Sequence, residues 1–228
     1  MNDMKALVLT LLFPAIVGAQ ATAVDPAINE RFRNPDVEEL EGALEREDRN
    51  VYRARHAVVA ALGLEPGDDV ADVGAGTGFL ARLMAARVGP EGRAYAVEIA
   101  PEMVAHIVTT SRNEGLDNVV GVLGTDTTTN LPPDAVDLVL VCYVYHHFEH
   151  PEESLASIRQ ALRSDGRLVV IDRERIRGIT EDRLYYEHYR AGKGTFTDEI
   201  LDAGFELEKD LPPLVTDSYV LVFKKRGQ

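Results

Sequence analysis

One cysteine stands in 228 residues, and tryptophan is absent. A lone thiol excludes an intramolecular disulfide, a cysteine-based zinc knuckle and an iron–sulfur cluster. Basic residues are scarce as well. The 24 Lys plus Arg against 38 Asp plus Glu leave a formal charge of −14. Such a surface argues against sequence-independent nucleic-acid binding, which needs Lys and Arg to displace counterions. Neither a Gly-x-Ser-x-Gly elbow nor a Walker A sequence occurs. No apolar run reaches the roughly 20 residues that span a bilayer. Hydrophobic residues still make up 45% of the chain, enough for a globular core and against wholesale disorder. The length suits one α/β domain, or a domain with a small cap.

The first residues differ from the rest. Lys5 precedes an apolar run from Ala6 to Val17, followed by small residues with two A-x-A sites, Ala19-Gln20-Ala21 and Ala21-Thr22-Ala23. This is the layout of a secretory signal peptide, and it predicts a periplasmic or secreted product. An uncleaved helix, or a start codon downstream and a cytoplasmic product, is the other reading of the same residues. Removing residues 1–23 takes out Asp3 and Lys5, so the charge stays −14. Residues 24–49 read as a loosely packed polar lead-in or cap with a helix over 37–47, and residues 50–228 as the main domain.

In that domain, helical spacing over 51–62 ends at Gly63, a suitable C-cap. Short apolar segments at 69–73, 93–98, 119–123, 136–143 and 167–171 read as strands. Helices at 79–88, 101–113 and 152–162 alternate with them, and Asp165-Gly166 reads as a turn. A helix at 197–203 precedes two last strands, 205–208 and 219–223. The alternation predicts a parallel sheet with helices on both faces. The last two strands leave no room for a crossover helix, which predicts an antiparallel hairpin at the sheet edge.

The strongest local signal is Asp72-Val73-Gly74-Ala75-Gly76-Thr77-Gly78, where a strand runs through three alternating glycines into a helix. Glycines permit a tight turn and a close backbone approach to a ligand at the carboxyl end of the strand. The dinucleotide fingerprint fails at Gly74, because Phe79 holds the sixth position, and fits loosely from Gly76 to Ala81. Asp72 beside the loop suits a cationic ligand better than a pyrophosphate. S-adenosylmethionine, with an ammonium and a sulfonium, is such a ligand. Glu98 ends the second strand, 20 residues after Gly78, where a carboxylate accepts ribose hydroxyls.

These residues resemble motif I of the class I S-adenosylmethionine-dependent methyltransferases. The resemblance continues through Ala96-Val97-Glu98-Ile99, the segment 131–140, Tyr145-His146-His147-Phe148 and the segment 162–168, and covers about residues 50–225. It implies a doubly wound, Rossmann-like seven-stranded sheet of order 3-2-1-4-5-7-6 with strand 7 antiparallel. It implies that Asp72, Gly74, Ala75, Gly76 and Gly78 surround the methionine part of the cofactor. Glu98 would hold the ribose and Ile99 pack on the adenine, with Asp126 on the adenine amino group, or Thr125 or Thr127 in its place. Cys142 and Tyr143 would lie beside the transferring methyl.

His146, His147 and His150 cluster after the fourth strand. His146 and His150 could share a metal if helical, but the reading adopted is no metal. His146, with Tyr145, is assigned to substrate contact or proton removal, and His147 to packing. Arginines and tyrosines at 172–177 and 185–190 either suit an anionic or aromatic acceptor or form a solvated helix with ion pairs, and Tyr52 and Arg55 either close the site or pack. The expected activity is methyl transfer to a small molecule. The rivals are a non-catalytic S-adenosylmethionine-binding or interaction protein and a nicotinamide-dependent oxidoreductase. Acceptor and oligomeric state are not legible in the sequence.

Overall fold

A computed structural model describes residues 24, 26–175, 188–216 and 218–227. The leader-like residues 1–23 lie outside the described residues, as do Ile176, Arg177, Tyr185, Tyr186 and Glu187. Seven strands form one sheet: β1 Val70–Val73, β2 Ala94–Glu98, β3 Val119–Leu123, β4 Val136–Cys142, β5 Leu162–Arg173, β6 Phe205–Leu211 and β7 Ser218–Lys225. Their order is β3-β2-β1-β4-β5-β7-β6. The first five are parallel, and β7 runs antiparallel to both β5 and β6. The expected edge hairpin is therefore present.

Alternation along the central strands explains the layers. Successive strand residues point to opposite faces, and a parallel strand covered on both sides is apolar throughout. Leu138 and Leu140 of β4 join one core with Val169 and Ile171 of β5 and Val220 and Val222 of β7. Val139 and Val141 join the other core with Leu168, Val170, Leu221 and Phe223. Helices α3 Asn50–Arg53, α4 Arg55–Ala61, α5 Phe79–Val88 and α6 Pro101–Asn113 supply residues to the first face. Helices α7 Pro151–Ala161 and α8 Lys193–Asp202 supply the second. No helix among the described residues is long and apolar enough to cross a membrane.

Three local expectations are corrected. The single helix over 51–62 is two, joined at Ala54, whose ψ near 1° interrupts the helical path. Asp165-Gly166 is not a turn between elements. It lies within β5, where Leu162 pairs with Val136 and the register shifts before Leu138. The lead-in is not loose. Asp36 caps α2 Val37–Leu44 by accepting from Glu39 N at 3.0 Å, and Leu40 is buried with Ala100 and Met103. Glu45 just beyond α2 pairs at 3.1 Å with the buried Arg82 of α5.

Candidate active site

The site is built at the carboxyl ends of the strands. Beyond β1 the backbone passes through Gly74, Gly76 and Gly78 with φ of 74°, 59° and 79°, a left-handed region that side chains disfavour. Close approach adds to that demand. A Cβ on Gly74 would fall 2.5 Å from Val144 Cγ1, and one on Gly76 would fall 2.9 Å from Leu44 Cδ1. Glu98 secures the loop from the next strand, accepting from Gly76 N at 2.6 Å and from its neighbour Ile99 N at 2.9 Å. Each carboxylate oxygen keeps a further lone pair for a ligand.

A cavity of about 730 Å³ opens beside this loop. Asp72, Gly74, Ala75, Gly76, Glu98, Ile99, Asp126, Cys142, Tyr143 and His146 all line it. Three residues expected there do not. Gly78 turns the chain into α5, and a Cβ on it would meet Ile107 Cγ2 at 2.9 Å, so it serves helix packing. Thr127 is held in a local turn, donating its backbone N–H to Thr125 Oγ1 at 3.2 Å. Thr125 lines the cavity instead.

Tyr145 is the third. Its side chain is fully buried in the opposite core against Phe148 and Phe196, and its hydroxyl donates to Glu199 Oε2 at 3.0 Å. Arg190 holds the same carboxylate through two hydrogen bonds of 2.5 and 2.6 Å. One residue of offset along the chain turns Tyr145 away while His146 faces the cavity. Tyr145→Phe should therefore leave ligand affinity unchanged and cost about 1 kcal/mol of stability, the net worth of one hydrogen bond. Calorimetry and denaturant titration would check both, and a lost affinity would return Tyr145 to the site. Tyr52 and Arg55 also miss the cavity: the Arg55 guanidinium lies 4.0 Å from the Tyr52 ring centroid, and Tyr52 packs on Phe79.

Burial sets the charges. Asp72 is 2% exposed, its Oδ2 has no hydrogen-bond partner, and desolvation, helped by the Glu98 carboxylate, pushes its pKa up to about 7. Burial also raises Glu98. The Cys142 thiol lies well above its usual range through burial and then Asp72, so it stays protonated. Tyr143 is pushed up to about 12, mainly by burial, and holds a left-handed φ of 59°. For a residue with a side chain that conformation costs roughly 1–2 kcal/mol. A buried orphan carboxylate oxygen and glycines that leave the backbone bare make a cradle that fits a cationic, nucleoside-bearing ligand.

The other end of the cavity carries features the sequence reading missed. The fully buried Asp172, at the end of β5, accepts from His146 Nδ1 at 2.9 Å and from the His146 backbone N–H at 3.1 Å. Asn29 reaches across 118 positions to His147: its Oδ1 lies 2.7 Å from His147 Nδ1, and its Nδ2 donates to His147 O at 2.9 Å and to Glu149 Oε1 at 2.7 Å. Burial, then His146 and His188, pushes His147 down to about 2. His150 is exposed beyond a helical turn that ends at His147, so it does not share a helix with His146. Arg49 lines the cavity, donates to Leu44 O at 3.0 Å and is lowered by burial. An apolar strand ending in Asp172 is a legible signal, but nothing in the sequence links Asn29 to His147.

Comparison with known proteins places these features. Residues 71–170 match the family described as methyltransferase domain. A ubiquinone/menaquinone biosynthesis C-methyltransferase of Cupriavidus taiwanensis is 28% identical over 114 residues, 50% of this chain and 46% of its own length. An uncharacterized 37.1 kDa protein in a transposon of Streptomyces fradiae is 30% identical over 172 residues, 69% of this chain and 49% of its own. The chain thus spans about half the length of the curated relatives it matches. Among solved structures, an S-adenosylmethionine-dependent methyltransferase from Aquifex aeolicus aligns with TM-score 0.71 at 20% identity, over 82% of this chain and 97% of that one. A [4+2]-cyclase aligns with TM-score 0.65 at 17% identity, over 77% and 81%.

Proposed function

We propose that this chain, which carries a class I methyltransferase domain, transfers a methyl group from S-adenosylmethionine to a small molecule. The observation that carries the reading is Asp72. A buried carboxylate with an orphan oxygen calls for a cation, and it stands beside a glycine turn pinned by Glu98. When bound, the cofactor supplies an electrophilic methyl on a sulfonium. Asp72, Gly74, Ala75 and Gly76 hold its methionine part, and Glu98 and Ile99 hold its nucleoside. Asp126 and Thr125 stand at the adenine end. Cys142 and Tyr143 wall the space between donor and acceptor. Alignment of nucleophile and methyl in that space supplies most of the rate.

The acceptor end is lined by His146 and by Arg31, Arg49 and Arg173. A chain of charge −14 that gathers guanidiniums at one cavity favours an anionic or oxygen-rich acceptor. A [4+2]-cyclase shares the fold, so the fold alone does not demand methyl transfer, and a second reading is a protein that binds the cofactor without transferring methyl. The leader-like pattern at 1–23 supports export with cleavage near Ala21 or Ala23. An intact mass that retains Met1 would remove that part.

Calorimetric titration of the full chain with S-adenosylmethionine, S-adenosylhomocysteine and NAD tests the reading. Binding of the first two at one site per chain is expected. No binding of either would overturn it, and NAD binding alone would restore the oxidoreductase. Product mass spectrometry over an acceptor panel then separates transfer from binding alone.

A further inference from the structure

Three imidazoles meet at the acceptor end. His146 and His147 come from the turn after β4, and His188 comes from the segment before α8. Their ring centroids are 4.1, 5.1 and 5.0 Å apart, and one ring nitrogen from each lies within 4.8 Å of the other two. The hydrogen bonds settle which nitrogens remain. An ionised Asp172 can only accept, so in the neutral imidazole of His146 the proton sits on Nδ1 and Nε2 is the nitrogen that can bind a metal. Asn29 Nδ2 already donates to two oxygens, which fixes Oδ1 as the acceptor of His147 Nδ1–H. His147 Nε2 therefore keeps a lone pair too. A carboxylate behind one imidazole and an amide oxygen behind the next are the outer contacts that orient metal-ligating histidines.

We propose that His146, His147 and His188 form a binding site for a divalent transition-metal ion. Nitrogen donors select zinc, iron(II) or cobalt(II) over magnesium or calcium, which take oxygen ligands. Metal–nitrogen bonds of roughly 2.0–2.1 Å would draw the three ring nitrogens, now within 4.8 Å of one another, closer together by turning the rings, and three protein ligands would leave a position for a small molecule. Arg31 opposes a cation beside His147, and the Asp172 carboxylate favours one beside His188. Two of the three histidines, His146 and His147, line the cavity, so the ion would hold the acceptor's oxygen. The hydroxyl proton passes to solvent and the oxygen keeps the electron pair that forms the new O–C bond. The pair of the broken S–C bond stays on sulfur. This task rests on the methyl-transfer reading, whereas binding of the ion does not. It also makes His146 a ligand and not a base.

The test is titration of the chelator-stripped full chain with cobalt(II), followed by visible absorption, with zinc competition for affinity. One ion per chain with the intense bands of low-coordinate cobalt is expected. His147→Ala and His188→Ala should each weaken binding at least about tenfold. Asp172→Asn, which keeps the ring and removes the charge behind it, should weaken it about 10–100-fold. His150→Ala should change nothing, because the exposed His150 belongs to a separate group with Asp126 and Glu149. Circular dichroism reports folding of each variant. Absence of a stoichiometric site, or a site indifferent to both His147→Ala and His188→Ala, overturns the proposal. Cofactor binding without cobalt binding defeats the metal site alone, and the reverse defeats the methyltransferase reading alone.

Discussion

Asp72→Asn should weaken S-adenosylmethionine binding by about thirtyfold at pH 8, the equivalent of about 2 kcal/mol for a buried charge pair losing one partner. The larger signature is in the pH dependence. In the folded protein Asp72 sits near pH 7 because burial disfavours its charge, with the Glu98 carboxylate adding repulsion. The neighbouring Cys142 thiol stays neutral and offers no compensation. A cationic ligand needs the charged carboxylate. Wild-type affinity should therefore fall as pH drops below about 7, approaching tenfold per pH unit, whereas the Asn variant loses that component. Titration of the ligand itself appears in both proteins and cancels in the ratio.

Stability runs the other way. A carboxylate whose pKa is raised on folding stabilises the native state fully below its unfolded pKa of 3.8 and loses that contribution as pH rises through about 7. Asp72→Asn should thus raise the apo protein's melting temperature at pH 8 and change it little at pH 4. Parallel pH profiles for the two proteins, in binding and in melting, would dismiss Asp72 as the cation partner.

Gly74→Ala should abolish measurable cofactor binding and lower stability. The added Cβ meets both methyls of Val144, at 2.5 and 2.6 Å, at a φ of 74°. The left-handed conformation alone costs roughly 1–2 kcal/mol, and the overlap is relieved only by moving the loop or the Val144 segment ahead of His146. Adding Val144→Ala removes the γ methyls that crowd the new Cβ but leaves the φ. The double variant should recover part of the stability and little of the affinity. Melting curves and calorimetry on the four proteins of the cycle measure this. Unchanged affinity in Gly74→Ala would mean that the ligand does not approach this turn.

The amino-acid sequence by itself determined the layered sheet and the glycine-turn end of the cavity. Alternating apolar strands and helices, with short right-handed connections, predict the parallel sheet covered on both faces and its edge hairpin, and the seven-stranded order, which the structure has, was implied by the resemblance of the glycine turn and later motifs to a known family. Asp72, Gly74, Gly76 and Glu98 were legible because the glycine turn and the tip of the next strand are local features with local causes. Tyr145 and His146 differ by one position, and their opposite directions were set by packing of the turn after β4 on Phe196 and Glu199. Tertiary structure alone decided the histidine end of the cavity. It brought Asn29 to His147, Asp172 to His146 and His188 to both, through contacts spanning 26 to 118 positions for the first two. Contacts of that range depend on how elements stack and on which buried polar atoms must find partners. No periodicity or spacing along the chain encodes them.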